Sequence, residues 1–324
     1  MPRNTAIPTS NYDGFHARGA RKGTYRLNLL EAGILGVVEG ITEFLPISST
    51  GHLVIASALL GLNEPADVKR SVDAFNIVIQ GGAILAVAGL FWPRIVQMMR
   101  GASGRDPVGL KLFINLLVAF VPAAVFGLLL DDWIESHLFH PTPVMAALAA
   151  GGVVMIALGP WQRRRFHESN ADSPGPAFTT LEELSWRQAL VIGLLQCVAM
   201  WPGTSRSLMT IVGGILVGLS AKAAVEYSFL LGVLTLSAAT FKKALWAIEG
   251  AGAQYDVWFG GTKLMLDHYG SGPFFVGIIA AAVSAAFAVK WLVSYLQSHG
   301  LEIFGYYRIA LGLIVGTLLL TGII

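Results

Sequence analysis

Six stretches of this chain run for about twenty residues almost without charge, the length a helix needs to cross the hydrocarbon core of a bilayer. Ala74–Pro93, Leu112–Leu130, Thr142–Pro160 and His268–Val289 qualify outright. Tyr227–Phe241 extends to Ile248 if Lys242 and Lys243 snorkel toward the interface, and Ile303–Ile324 is broken only by Arg308 near its start. Composition agrees: 54% of the 324 residues are hydrophobic and 13% are charged, where a soluble domain carries about 25%. Mean hydropathy is +0.63. A net charge of +2 gives no footing for nucleic acid, and the single Cys197 excludes an intramolecular disulfide or a multi-cysteine metal site. The chain reads as an all-α polytopic membrane protein.

Two further apolar regions, Leu29–Leu62 and Gln188–Ala221, are longer than one crossing and broken near their middles, by Pro46 and by Pro202-Gly203. Broken backbone at membrane depth is tolerated where it faces protein or a water-filled cavity, so both read as re-entrant helix–turn–helix elements. They also resemble each other. Gly36-Val-Val-Glu39 followed by Pro46-Ile-Ser48-Ser49 matches Gly193-Leu-Leu-Gln196 followed by Pro202-Gly-Thr204-Ser205 with one gap, and three spans follow each. This predicts an inverted repeat, each half a re-entrant element plus three transmembrane helices, with a site where the broken helices meet. The first repeat takes residues 29–160 and the second 188–324, joined by a loop at 161–187 and preceded by a basic, poorly ordered extension at 1–28.

Basic residues in short loops set the orientation. Arg94, Arg100, Arg105 and Lys111 place the loop after the first span in the cytoplasm, as Arg163-Arg164-Arg165 and Arg187 do for 161–187. Asp131, Asp132 and Glu135 put the loop between them outside. The tail, with Arg3, Arg18, Arg21, Lys22 and Arg26, conflicts with this, because a re-entrant first element leaves it outside.

A charge at the centre of a membrane helix costs at least about 2.5–3.5 kcal/mol on insertion scales, so Glu39, Glu43, His52 and Arg206, nearest the two breaks, are the functional candidates. Mutual pairing of Arg206 with a glutamate for structure alone is the alternative. Glu39 and Glu43 are four residues apart and share one face of the first half-helix, while Gly33, Gly36 and Gly40 allow a neighbouring helix to pack closely. Ser48, Ser49 and Thr50 open the next half-helix, with His52 within a turn of Ser49; Thr204, Ser205, Arg206 and Ser207 open its counterpart. Two helix N-termini, hydroxyls and an arginine form an anion site, and the arginine suits phosphate. The carboxylates can hold a divalent cation, Mg²⁺ or Ca²⁺, or act as a general base. Together these groups suggest phosphoryl transfer or hydrolysis on a membrane-embedded substrate. Each serine can equally be a helix cap or an interhelical hydrogen-bond donor.

The runs Glu39-Gly-Ile-Thr-Glu43-Phe-Leu-Pro-Ile-Ser-Ser-Thr-Gly-His52 and Pro202-Gly-Thr-Ser-Arg206-Ser resemble the two signature motifs of the undecaprenyl-pyrophosphate phosphatases, the UppP/BacA family, and the likeness runs from about residue 29 to the C-terminus, including Gln80. The resemblance implies hydrolysis of undecaprenyl pyrophosphate to undecaprenyl phosphate and phosphate, which recycles the lipid carrier for cell-wall synthesis and confers bacitracin tolerance. It implies a multi-pass protein of the bacterial inner membrane with its site open to the periplasmic face. By position, Glu39 and Glu43 match the acidic pair, Ser49 the proposed nucleophile, His52 the histidine and Arg206 the phosphate-binding arginine, with Thr204, Ser205, Ser207, Ser48 and Thr50 around the phosphate. No organic cofactor is expected, membrane lipids are the surroundings, and a homo-oligomer is allowed. Direct attack by water with Ser49 only binding is the chemical rival. A polyprenyl-phosphate transporter using the same site is the rival of another class.

Overall fold

A computed structural model describes residues 27–62, 66–138, 140–170, 179–245 and 269–321, with Lys263 and Leu266 between the last two stretches. The basic extension before residue 27 and the part of the 161–187 loop at 171–178 lie outside the described residues. Among the described residues there are eleven helices and no strand: α1 (Leu29–Phe44), α2 (Ser49–Leu59), α3 (Ala66–Leu90), α4 (Trp92–Ala102), α5 (Pro107–Leu138), α6 (Pro141–Asn170), α7 (Trp186–Val198), α8 (Arg206–Leu216), α9 (Ala221–Leu245), α10 (Ser271–Tyr295) and α11 (Glu302–Leu320).

Six of these, α3, α5, α6, α9, α10 and α11, are long and apolar enough to cross a membrane. They are the six expected from the charge-free runs; the apolar span Thr142–Pro160 recurs with the same bounds, while most of the helices begin or end elsewhere. Capping groups, rather than the first apolar residue, decide where they start. Asp106 accepts from the backbone N–H of Val108 and Gly109, so α5 begins at Pro107. Ser220 accepts from the N–H of Ala223, so α9 begins at Ala221. Likewise α6 continues past Pro160 to Asn170, taking in residues that the apolar pattern leaves to the loop. Leu128, Leu129, Phe287 and Leu320 are each more than two-thirds exposed, an outer surface that fits lipid rather than water. The protein is a multi-pass membrane protein.

The short helices start and stop for reasons visible in their ends. Asn28 caps α1 by accepting from the N–H of Glu31, whose carboxylate accepts the N–H of Asn28 in return, each at 2.9 Å. Ser185 and Gln188 form the same reciprocal box on α7. Leu45 is extended (φ −74°, ψ 149°), as a residue before proline must be, and α1 ends there. The packing crosses the chain: α1 lies on α10, and α7 lies on α5. Gly36 and Gly40 sit against the backbone of α10 so closely that a Cβ on either would collide with the carbonyl oxygens of Gly277 and Ala281. α3 pairs with α9, and α6 with α11. A buried core that includes Phe44, Tyr227, Phe229 and Leu208 fills the space where α1, α8 and α9 converge. In the first turn of α4, Arg94 donates to Glu226 at 2.7 Å and to Glu182 at 2.8 Å, tying the segment before α7 to α9.

Candidate active site

The breaks at Pro46 and Pro202-Gly203 lie together, and their two following helices begin from nearly the same backbone conformation. Ser48 (φ 72°, ψ 102°) precedes α2 and Ser205 (φ 75°, ψ 116°) precedes α8. Among the described residues these are the non-glycine positions with positive φ. That region is costly for a residue with a side chain and persists where the surroundings hold it. Ser207 Oγ donates to the Leu45 carbonyl at 2.8 Å, a direct link between the breaks.

The expected polar residues converge on Glu43. Ser49 Oγ donates to Glu43 Oε2 at 2.5 Å, and Arg206 Nη2 donates to Glu43 Oε1 at 3.4 Å. The second contact is longer than a closed ion pair, in which N–H to carboxylate distances run about 2.7–2.9 Å. Arg206 is otherwise held by the Ser228 carbonyl, which accepts from Nη1 at 3.1 Å, and by the Phe44 ring, whose centroid lies 5.2 Å from the guanidinium carbon. Its Nε is buried without a partner. Gly232 makes room for it, since a Cβ there would collide with the guanidinium. Thr210 Oγ1 and Ser228 Oγ, 2.6 Å apart, brace the same corner.

Glu39 is buried beside Glu43 and Gln80. Two carboxylates side by side repel, and a proton or a cation between them relieves the repulsion. One Glu39 oxygen, Oε2, is buried with no partner. Gln80 is oriented in turn by Thr240, whose hydroxyl donates to Gln80 Oε1 at 3.0 Å and leaves the amide N–H₂ to face Glu39. Among the described residues no group of three or more His, Cys, Asp or Glu side chains could hold a metal ion. Glu39 and Glu43 are the two carboxylates that could hold a divalent cation here.

His52 lies apart from the serine it follows in sequence. Its Nδ1 is 2.7 Å from the Ser48 carbonyl oxygen, and its Nε2 is 2.6 Å from the hydroxyl of Tyr307 on α11. At the other break, Ser205 Oγ accepts from the N–H of Leu208 at 3.3 Å and lies 3.0 Å from Ser207 Oγ. Ser48 and Thr204 are buried and Thr50 is half-buried at the mouth of α2.

Sequence reasoning passed over Arg308. Its side chain is fully buried and donates to four carbonyl oxygens: Pro46 at the first break (3.3 Å), Gly203 at the second (2.8 Å), and Ala147 and Leu148 on α6 (3.0 and 3.3 Å). Gly151 leaves the space it fills. The signal was available, because Arg308 is an isolated charge within an apolar span and carries the same insertion cost that marks Arg206. Tyr307, Ser228 and Thr240 had no such signal.

A hydroxyl, two carboxylates and an arginine thus meet between the two breaks of a multi-pass membrane protein. The model of the family described as "Bacitracin resistance protein BacA" matches residues 32–314, and the chain belongs to that family. A Nitrosomonas europaea protein named "Undecaprenyl-diphosphatase" is 44% identical over 289 residues, covering 89% of this chain and 94% of the relative. "Undecaprenyl-diphosphatase 2" of Rhodospirillum rubrum is 44% identical over 287 residues, covering 89% and 93%. The "Undecaprenyl-diphosphatase" of Sorangium cellulosum is 42% identical over 285 residues, covering 88% and 84%.

Proposed function

We propose that the protein hydrolyses undecaprenyl pyrophosphate to undecaprenyl phosphate and phosphate, recycling the lipid carrier of cell-wall synthesis and conferring tolerance to bacitracin. The supporting observation is that one carboxylate, Glu43, joins a hydroxyl to an arginine: Ser49 Oγ on one oxygen and Arg206 on the other. A phosphate group entering between Glu43 and Arg206 meets a forked cation, which binds two of its oxygens, and a hydroxyl whose proton already points at a base.

The reaction runs in two displacements. Ser49 Oγ attacks the terminal phosphorus as its proton passes to Glu43, the bridging P–O bond breaks, and undecaprenyl phosphate departs. Water, deprotonated by a carboxylate, then attacks the phosphoserine and releases phosphate, restoring the serine. Arg206 and the N–H groups opening α2 and α8 bear the charge that grows on the transferring oxygens. Thr204, Ser205, Ser48 and Thr50 line the approach, whereas Ser207, fully buried with its proton on the Leu45 carbonyl, links the two turns instead of meeting substrate. Mg²⁺ or Ca²⁺, when bound between Glu39 and Glu43, would offset the repulsion between these carboxylates and the pyrophosphate.

The chain-crossed packing supports an inverted repeat. Each broken element lies against the second long helix of the other half, α1 on α10 and α7 on α5. Their lengths support re-entry. The 16 residues of α1 rise about 24 Å, and the 11 residues of α2 and of α8 rise about 16 Å, against a hydrocarbon core of about 30 Å. With the loop basic residues inside, the breaks enter from the periplasmic face of the bacterial inner membrane, where pyrophosphate carrier is regenerated.

The test is phosphate release from C55 pyrophosphate by purified protein in detergent, where no gradient exists to drive a transporter. Ser49→Ala should lose at least about a thousandfold in turnover, in line with removal of a nucleophile. Acid quench during wild-type turnover should leave phosphate on the Ser48–Thr50 peptide. Residual turnover within about tenfold of wild type in Ser49→Ala, the loss of one hydrogen bond, assigns the attack to water.

A further inference from the structure

The two positive-φ serines are held by different means. At the second break the Ser205 side chain caps its own helix, accepting from Leu208 N–H. At the first break Ser48 makes no such cap. Its carbonyl oxygen instead faces His52 Nδ1 at 2.7 Å. A carbonyl can only accept, so Nδ1 carries the proton. The opposite nitrogen, Nε2, lies 2.6 Å from Tyr307 Oη, so with the proton on Nδ1 it accepts from the phenol hydroxyl. Both ring nitrogens are thereby engaged, neither with Ser49. The Ser49 proton is directed to Glu43 at 2.5 Å.

We propose that His52 is a positioning residue rather than a catalytic residue. As the Nδ1–H tautomer, selected by Tyr307, it holds the Ser48 carbonyl and so keeps the strained turn in the conformation that aims Ser49. It exchanges no proton with Ser49 during turnover. The inference rests on the phosphatase reading given above for its kinetic consequence and on geometry alone for the tautomer.

The experiment has two arms, on the full chain in lipid nanodiscs. In the kinetic arm, His52→Asn keeps an amide N–H near the place of Nδ1, His52→Gln moves it toward the place of Nε2, and His52→Ala removes it. Releasing a strained backbone that costs about 1–3 kcal/mol corresponds to roughly a ten- to hundredfold loss of kcat, which Ala and Gln should show. Asn should recover to within about tenfold of wild type, the worth of one imperfect hydrogen bond. Asn as impaired as Ala overturns the proposal. In the spectroscopic arm, ¹⁵N-histidine spectra of the wild type without substrate should show a signal, absent in His52→Asn, with Nδ1 protonated and Nε2 bare, and Tyr307→Phe should shift it. A protonated Nε2 with bare Nδ1 overturns the proposal whether or not any phosphate is released. A wild type that holds the expected tautomer yet releases no phosphate refutes the phosphatase reading and leaves the tautomer assignment standing.

Discussion

Ser49 and Arg206 occupy the same place in two turns. Each is the first residue of a short helix, and each follows a serine forced to positive φ, in α2 and α8 respectively. Each preceding helix, α1 and α7, opens with a reciprocal capping box. Beyond that shared frame the two differ. The first carries Glu39 and Glu43 ahead of its break, where the second carries Gln196, buried with both amide atoms unpartnered, and Met200. Acid, base and hydroxyl chemistry is thus gathered on one turn, and the positive charge that faces it is supplied by the other. A symmetric pair would oppose carboxylates to carboxylates, or arginine to arginine, and neither would hold a phosphate next to a base. One frame used twice, with side chains that diverge, builds both halves of a polar site without any long loop at membrane depth.

The comparison breaks most severely if the arginine's fork is removed while its charge stays. Arg206→Lys should lose about 10²–10³ in kcat/KM, because an ammonium cannot bind two phosphate oxygens in a plane. Wild-type turnover of C55 pyrophosphate in that variant would reduce the second turn's contribution to a field.

Next in size is the link that holds the turns in register. Arg308→Met should destabilise the protein by about 1–3 kcal/mol, the cost of leaving buried carbonyl acceptors unpaired. It should also raise hydrogen exchange at Ile47–Thr50 and Gly203–Ser207 together, since one guanidinium bonds the Pro46 and Gly203 carbonyls. Exchange rising at one turn alone would show that they are fixed independently.

The glycine beside each arginine sharpens the comparison further. Gly232→Ala displaces Arg206, which faces substrate, so KM should rise about tenfold with little loss of stability. Gly151→Ala displaces Arg308, which meets only carbonyls, so its effect should appear as a lower Tm instead. Equal effects on KM from both would erase the distinction between a binding and a bracing arginine. The smallest expected change is Ser205→Ala, which removes the cap from α8 and should cost about 1 kcal/mol in a thermal-unfolding measurement while leaving Arg206 in place.

The six long helices were legible because the bilayer imposes a length and excludes charge, so Ala74–Pro93 and its counterparts stand out whatever packs against them. Their ends were less legible, because Asp106 and Ser220 set them by hydrogen bonds that apolar periodicity does not register. Glu39, Glu43, Ser49 and Arg206 were legible as a group through the two motifs and the cost of burying charge. What the motifs could not convey is connection across the chain. Tyr307 is 255 positions from His52, and Thr240 is 160 from Gln80, and nothing local to either residue distinguishes it from an interfacial tyrosine or a helix-facing threonine. His52 shows the same limit in reverse, since proximity to Ser49 in sequence suggested a partnership, whereas the ring turns back to Ser48.

The Arg308 clasp also fixes when the site can come into being. Chains are made from the N-terminus, so the carboxylates of α1 and the hydroxyls of α2 enter the membrane long before α11 is synthesised. Until α11 arrives, neither the Pro46 nor the Gly203 carbonyl has its guanidinium partner. Glu43 and Ser49 can meet early, within one element, but the clasp that ties the two turns together must wait for α11. Assembly of this centre is therefore ordered in time as well as in space.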